Sequence, residues 1–112
     1  MTDAIATVFD RPDENRYEII VGDQIAFLAY RRRDDQWILV HTEVPEGLRG
    51  QGLGQILARH ALDDARRSGV HVIVKCPFVT AWLRRHNEYD DIIVARVAES
   101  GQVDRQTPDE PR

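Results

Sequence analysis

Between residues 44 and 54 the hydrophobic pattern of this chain changes period, and it does so across a run of glycines. Upstream, residues 16–21, 24–31 and 36–44 are three β-prone stretches parted by short polar turns at Gly22-Asp23 and Arg32-Arg-Asp-Asp35. Strands joined so tightly form an antiparallel meander. Downstream, Leu53, Ile56, Leu57, Ala61, Leu62 and Ala65 recur at helical spacing. Residues 70–75 then return to a β-branched run, and a helix between strands implies a crossover and parallel pairing. The expected fold class is α/β (α+β): a mixed, mostly antiparallel sheet of four or five strands with one long and one short helix.

The details follow from local chemistry. Residues 5–9 suggest a short strand, and Arg11-Pro-Asp-Glu-Asn15 a turn. Ile25, Phe27 and Ala29 share one face of the second long strand. The long helix is expected over residues 52–67, with Arg66 and Arg67 at its negative end and Ser68-Gly69 as the stop. Cys76-Pro77 opens a second helix to residue 86, ended by Asn87. Ile92-Ile93-Val94 reads as a last edge strand or a docked extension. The composition then turns polar, with Pro108 and Pro111. The expected organisation is one domain over residues 1–97 and a disordered tail over 98–112.

Composition narrows the function. A length of 112 residues suits one domain with a modest core. A formal net charge of −4 argues against nucleic acid as the main partner. No apolar run is long enough for a membrane span, and the N-terminus lacks a signal-peptide pattern. The single cysteine, Cys76, has no internal disulfide partner, which suits a reducing, cytoplasmic setting. No His/Cys cluster has metal-ligand spacing.

The run Val44-Pro-Glu-Gly-Leu-Arg-Gly-Gln-Gly-Leu-Gly54 lies at a strand-to-helix junction. Backbone N–H groups exposed there, at the positive end of a helix, form a cradle for pyrophosphate. A P-loop is excluded, because Leu53-Gly54 stand where Lys and Ser/Thr are needed. A dinucleotide fingerprint is excluded as well: Gln55 and Leu57 occupy the third glycine position in the two possible registers. Arg-x-x-Gly-x-Gly fits, as Arg49, Gly52 and Gly54. This resembles the acetyl-coenzyme A loop of the GNAT superfamily of N-acetyltransferases. With His41-Thr-Glu-Val-Pro45, Cys76-Pro-Phe78 and Leu83-Arg-Arg-His-Asn-Glu-Tyr-Asp90, the chain is similar to the small, minimal GNAT-like family over residues 15–94.

The resemblance implies acetyl-coenzyme A as cofactor. Its pyrophosphate would be held by the backbone amides of Arg49, Gly50, Gln51, Gly52, Leu53 and Gly54; the strand ending near Val44 would bind the pantetheine arm through its main chain, and a splay between that strand and the one ending at Lys75 would admit the thioester. It also places Cys76 by the thioester. A thiol at a helix N-terminus can accept acetyl or deliver a proton to the leaving thiolate; it can equally be a buried structural residue. His41 and Glu43, two apart on a strand, share a face and are candidates for taking the proton of an ammonium; structural or surface roles are the alternative. Tyr89 is a candidate proton donor or a core ring. Phe78 and Trp82 read as core or pocket wall, and Arg31-Arg-Arg33 as a solvated turn. The late-helix tyrosine common in the superfamily is replaced here by arginine or histidine. The longer superfamily elements that shape the acceptor pocket have no room in this chain.

The expected function is transfer of acetyl from acetyl-coenzyme A to a primary amine, on a small molecule or a protein lysine, by a monomer or weak homodimer. The alternative is a regulatory module that binds acetyl-coenzyme A or coenzyme A without efficient turnover.

Overall fold

The meander forms as expected, and the crossover helix covers it. The computed structural model describes residues 6–97 and 103–105. Strands β1 (Phe9–Arg11), β2 (Arg16–Val21), β3 (Gln24–Arg32) and β4 (Gln36–Glu43) run antiparallel. Helix α1 (Leu53–Ser68) crosses over to β5 (His71–Val74), which lies parallel to β4. Helix α2 (Pro77–Leu83) leads to β6 (Ile93–Val97), parallel to β5, and β7 (Val103–Arg105) closes the row antiparallel to β6. The seven strands stand in the sheet in chain order.

The sheet has seven strands where four or five were expected, and three further placements differ from expectation. The first strand begins only at Phe9. β6 is not an edge, because Val103–Arg105 pairs beside it; that strand falls within the segment expected to be disordered. The remainder of that segment lies outside the described residues. α2 stops at Leu83, three residues early. The amides of Arg84, Arg85 and His86 then bond to the carbonyls three residues back, at 3.2, 3.1 and 3.1 Å. That is the tightening common at helix ends. It brings the His86 ring flat onto Trp82, with centroids 3.9 Å apart.

Both helices pack on one face of the sheet. α1 lays Leu57, Ala58, Ala61, Leu62 and Ala65 against Tyr17, Ile19, Leu28 and Leu39, all essentially inaccessible to solvent. Alanine at three of those positions lets the helix axis approach closely. Each fully buried leucine contributes about 2 kcal/mol. The face of β3 singled out by alternation, Ile25, Phe27 and Ala29, is the opposite one; Ala26, Leu28 and Tyr30 meet the helices. Both faces of β3 are apolar, so alternation alone could not say which one the helices cover. The outer face is open, with Phe9, Ile20 and Ile25 exposed by 48%, 47% and 38%. Glu18 is buried there by charge pairing, with Arg16 Nε at 2.6 Å and Arg11 Nη1 at 3.4 Å. Among the described residues no helix is long and apolar enough to cross a membrane.

Tyrosine–carboxylate bonds tie the layers together. Tyr17 donates to Asp64 on α1 at 2.6 Å, and Tyr30 donates to Asp10 at 2.5 Å. Arg32 lies over the rings of Tyr17, Tyr30 and Trp37 and donates to Asp10 at 3.0 Å and to the Tyr17 hydroxyl at 2.7 Å. Tyr89 donates to Asp63 at 2.6 Å. Burial first, and the hydrogen-bonded carboxylate second, push all three phenols upward from 10.0, Tyr89 to about 12. These are the three tyrosines of the chain. The folded protein therefore shows no rise in tyrosinate absorbance at pH 10.0, where the phenols of the urea-unfolded chain are half ionised. Because the folded values are raised, this stabilisation is complete below the unfolded value and is lost as pH climbs through the folded ones. Denaturation midpoints measured against pH decline on the alkaline side. A phenol titrating at its ordinary value in the intact fold would contradict one of the three bonds.

Candidate functional site

The glycine-rich run becomes a loop that delivers an uncapped helix N-terminus. After Pro45, residues Glu46–Leu48 make one 3-10 turn and Arg49 is extended. Gly50 and Gly52 adopt φ of +86° and +77°, where a side chain would be strained. Gly52 is the N-cap of α1 and offers no side-chain cap; the first turn holds no acidic residue. Ile56 N to Gly52 O is the first bond of the helix, so the amides of Leu53, Gly54 and Gln55 precede its ladder. A Ser or Asp cap would stabilise the helix by about 1 kcal/mol but would occupy those donors. Their freedom and the helix dipole make the junction a site for an anion. Arg49 Nε donates to Val44 O at 3.3 Å and so braces the loop against the end of β4.

A cavity of about 420 Å³ opens over this junction, and Val44, Arg49, Gly50, Gly52, Leu53 and Gly54 line it. Six of the seven residues expected to line a cofactor thus share one cavity. Gln51 lines a neighbouring one. The third glycine has its own reason. Gly54 has no positive φ; a Cβ there would stand 2.7 Å from the Phe78 ring, which closes the cavity from α2.

The sheet splits beside the cavity. β4 and β5 pair from Gln36↔His71 to Leu39↔Val74 and no further. Leu39 O then accepts both Lys75 N, at 2.8 Å, and Cys76 N, at 3.2 Å. Pro77 follows and has no N–H to continue the ladder. β4 runs on to Glu43 with β3 as partner. Its register skips Val40, since Tyr30 faces Leu39 while Ala29 faces His41. This is a bulge, and it re-aims the strand beyond it. From Val40 onward the β5 side of β4 is an open edge leading into the cavity through Thr42 and Val44.

The bulge also sorts the candidate chemical residues. Thr42 is on the helix side, with its Oγ1 3.2 Å from Cys76 Sγ. Cys76 is buried at the N-cap of α2, where the splay begins. His41 and Glu43 share a face as expected, and it is the outer one. His41 Nε2 and Glu43 Oε1 are 3.1 Å apart, with both side chains more than half exposed. Tyr89 is not brought to this place. Its turn is strapped under α1 by Arg66, which bonds Glu88 O at 2.6 Å and Asp91 at 2.8 and 2.9 Å. The Tyr89 hydroxyl is committed to Asp63 and accepts from Arg59 at 3.2 Å, and Tyr89 lines none of the loop cavity. Sequence reasoning passed over Thr42; its spacing of two from Val44 on one strand was the available signal.

The chain thus combines a mixed sheet split at its centre with an uncapped, acid-free helix N-terminus at the split. The model of the GCN5-related N-acetyltransferase family matches residues 16–92, and the chain belongs to that family. The fold is similar to the NMR solution structure of a GCN5-like N-acetyltransferase candidate from Staphylococcus aureus. That likeness has a TM-score of 0.62 and 26% identity, covering 79% of this chain and 87% of that one.

Gly52 and Gly54 respond differently to substitution. Gly52→Ala, at a φ of +77°, destabilises the fold by about 1 kcal/mol. Gly54→Ala displaces only the far edge of the half-exposed Phe78 ring, so the melting temperature hardly moves while the cavity is reshaped. Thermal denaturation of the two variants side by side checks this, and equal destabilisation would contradict the separate roles.

Proposed function

We propose that this protein transfers acetyl from acetyl-coenzyme A to a primary amine. The observation that carries the reading is the meeting of an uncapped, acid-free helix N-terminus with the open edge of β4 in a single cavity. The residues fit the cofactor. The amides of Leu53, Gly54 and Gln55 supply donors for a pyrophosphate, and no carboxylate in the first turn opposes it. The unpaired main chain beyond Leu39 offers hydrogen bonds to an amide-containing arm. When bound, acetyl-coenzyme A supplies an acyl group activated as a thioester.

The chain's own groups then divide the work. A main-chain N–H near Val44 is the donor for the carbonyl oxygen. The acceptor amine arrives as an ammonium and must lose a proton before it can attack. Glu43 takes that proton at its carboxylate, directly or through His41 Nε2, from the outer side of the sheet. Cys76, beside Thr42 at the split, is the donor to the departing thiolate. Mass detection of acetylated Cys76 after mixing with acetyl-coenzyme A alone would show transfer through the thiol instead. Tyr89 has no part in this scheme.

Calorimetric titration with acetyl-coenzyme A tests the cofactor. Binding is expected for the wild type and is lost in the Arg49→Ala, Gly52→Ala double variant. Transfer to a panel of amines tests the chemistry. Glu43→Gln lowers kcat roughly 10²-fold, the usual size for a lost general base, with cofactor affinity unchanged. Tight binding with no transfer to any amine would favour the regulatory module, and no binding at all would overturn both readings.

A further inference from the structure

Three consecutive arginines at the end of β3 have no part in the scheme above. The Arg32 guanidinium lies over the rings of Tyr17, Tyr30 and Trp37 and donates to Asp10. Arg31 and Arg33 are exposed, and neither side chain has an ion pair or hydrogen bond among the described residues. Both line a hollow of about 710 Å³ whose wall includes Ala29 and Val40. Glu14 is the one carboxylate of that wall and pairs with neither arginine. On a chain of net charge −4, a hollow with two unpaired guanidiniums is opposite in sign to the molecule as a whole.

Ala29 ties this hollow to the proton-accepting pair. It sits on the outer face of β3, opposite Arg16 on β2 and His41 on β4. Its methyl is a low point between two long side chains. Arg16 is held by Glu18 at 2.6 Å and lies over the Phe27 ring, 4.6 Å from the centroid, so its guanidinium stays outside the hollow. Phe27, two residues back from Ala29, is opposite Glu43, and its ring meets the His41 ring edge-on at 6.0 Å. Arg31, two residues forward, is on the same face, about 7 Å along the strand from Ala29 and about 14 Å from Phe27. The outer face therefore carries one row with His41 and Glu43 at one end, unpaired cations at the other and an alanine between them.

We infer that the acceptor is a small primary amine bearing a carboxylate several bonds from its nitrogen, with the amine at Glu43 and His41 and the carboxylate on Arg31 and Arg33. The inference rests on the acetyl-transfer reading and names the substrate class of that site. A guanidinium meets a carboxylate through two parallel donors, and a second guanidinium adds to the attraction. The span favours an ω-amino acid over an α-amino acid, whose two charges are only two bonds apart. A diamine of the same length would bring a second cation against two arginines and be repelled. One proton of the ammonium goes to Glu43 and on to water. A second, lost as the N–C bond forms and the thioester C–S bond breaks, balances the proton that Cys76 gives to the leaving sulfur. The carboxylate is unchanged by the reaction.

The test measures initial rates of the full chain with acetyl-coenzyme A and three amines of matched length: ε-aminocaproate, hexylamine and hexamethylenediamine. The wild type is expected to show a KM for ε-aminocaproate about tenfold below that for hexylamine, the size of one charge-assisted hydrogen bond near solvent, with similar kcat. The Arg31→Ala, Arg33→Ala double variant raises the KM for ε-aminocaproate to that of hexylamine and leaves hexylamine unchanged. Arg31→Glu, Arg33→Glu turns the preference toward the diamine. Arg67→Ala is the control: it removes an exposed cation that lines neither this hollow nor the loop cavity, and the preference stays. A second readout needs no turnover. Backbone amide shifts of Ala29, Arg31 and Arg33 move on titration with ε-aminocaproate, and the response at Ala29 disappears in the double alanine variant. Equal KM for ε-aminocaproate and hexylamine in the wild type would overturn the inference and leave acetyl transfer standing. So would a preference that survives the double variant, its loss in Arg67→Ala, amide shifts confined to other parts of the chain, or transfer to other amines but to none of these three. Transfer to no amine at all would remove the acetyl-transfer reading and this inference with it.

Discussion

The site depends on where β5 stops. Leu39 O accepts two amides, from Lys75 and Cys76, and the next residue is a proline with no amide to give. Parallel pairing therefore ends in the middle of β4 while antiparallel pairing with β3 continues. A backbone edge left open inside a sheet is normally a liability. Here it leads to a cavity whose other wall is the N-terminus of α1, and both unsatisfied sets of main-chain groups face one space.

The rest of the fold keeps that deficit in place. α1 starts without a side-chain cap, so its position cannot rest on its first turn. It is set instead by the buried Leu and Ala stripe and by Tyr17–Asp64 and Tyr89–Asp63 further along. Each of those bonds puts a neutral phenol against a carboxylate out of water, which fixes the helix to the sheet and to the turn after α2. The loop gains its shape from two left-handed glycines and the Arg49 brace to Val44. The helix gives up cap stability, and packing far from the site offsets the loss.

One extra residue gives the two sides of β4 different tasks. The bulge at Val40 leaves Thr42 and Val44 on the helix side with the loop cavity, and His41 with Glu43 on the open side. In the acetyl-transfer scheme proposed above, cofactor and acceptor would approach the split from opposite faces. The outer face carries neither α1 nor α2.

Much of this was legible in the chain itself. The change of period, the turns and Arg49, Gly52 and Gly54 determined the meander, the crossover and the glycine-rich junction before α1, because these depend on local steric and hydrogen-bonding rules that act within a few residues. The shared face of His41 and Glu43 followed from strand geometry alone. Tertiary structure decided what depends on contacts distant in sequence. It chose which apolar face of β3 the helices cover, placed the bulge at Val40, and put Cys76 against Thr42, 34 residues away. It also drew Tyr89 under α1 and away from the split, since the pull of Arg66 and Asp63 on that turn has no signature in the local sequence. Gly54 shows both levels at once: its place in the motif is readable, but its need for a bare Cα comes from Phe78 on another helix.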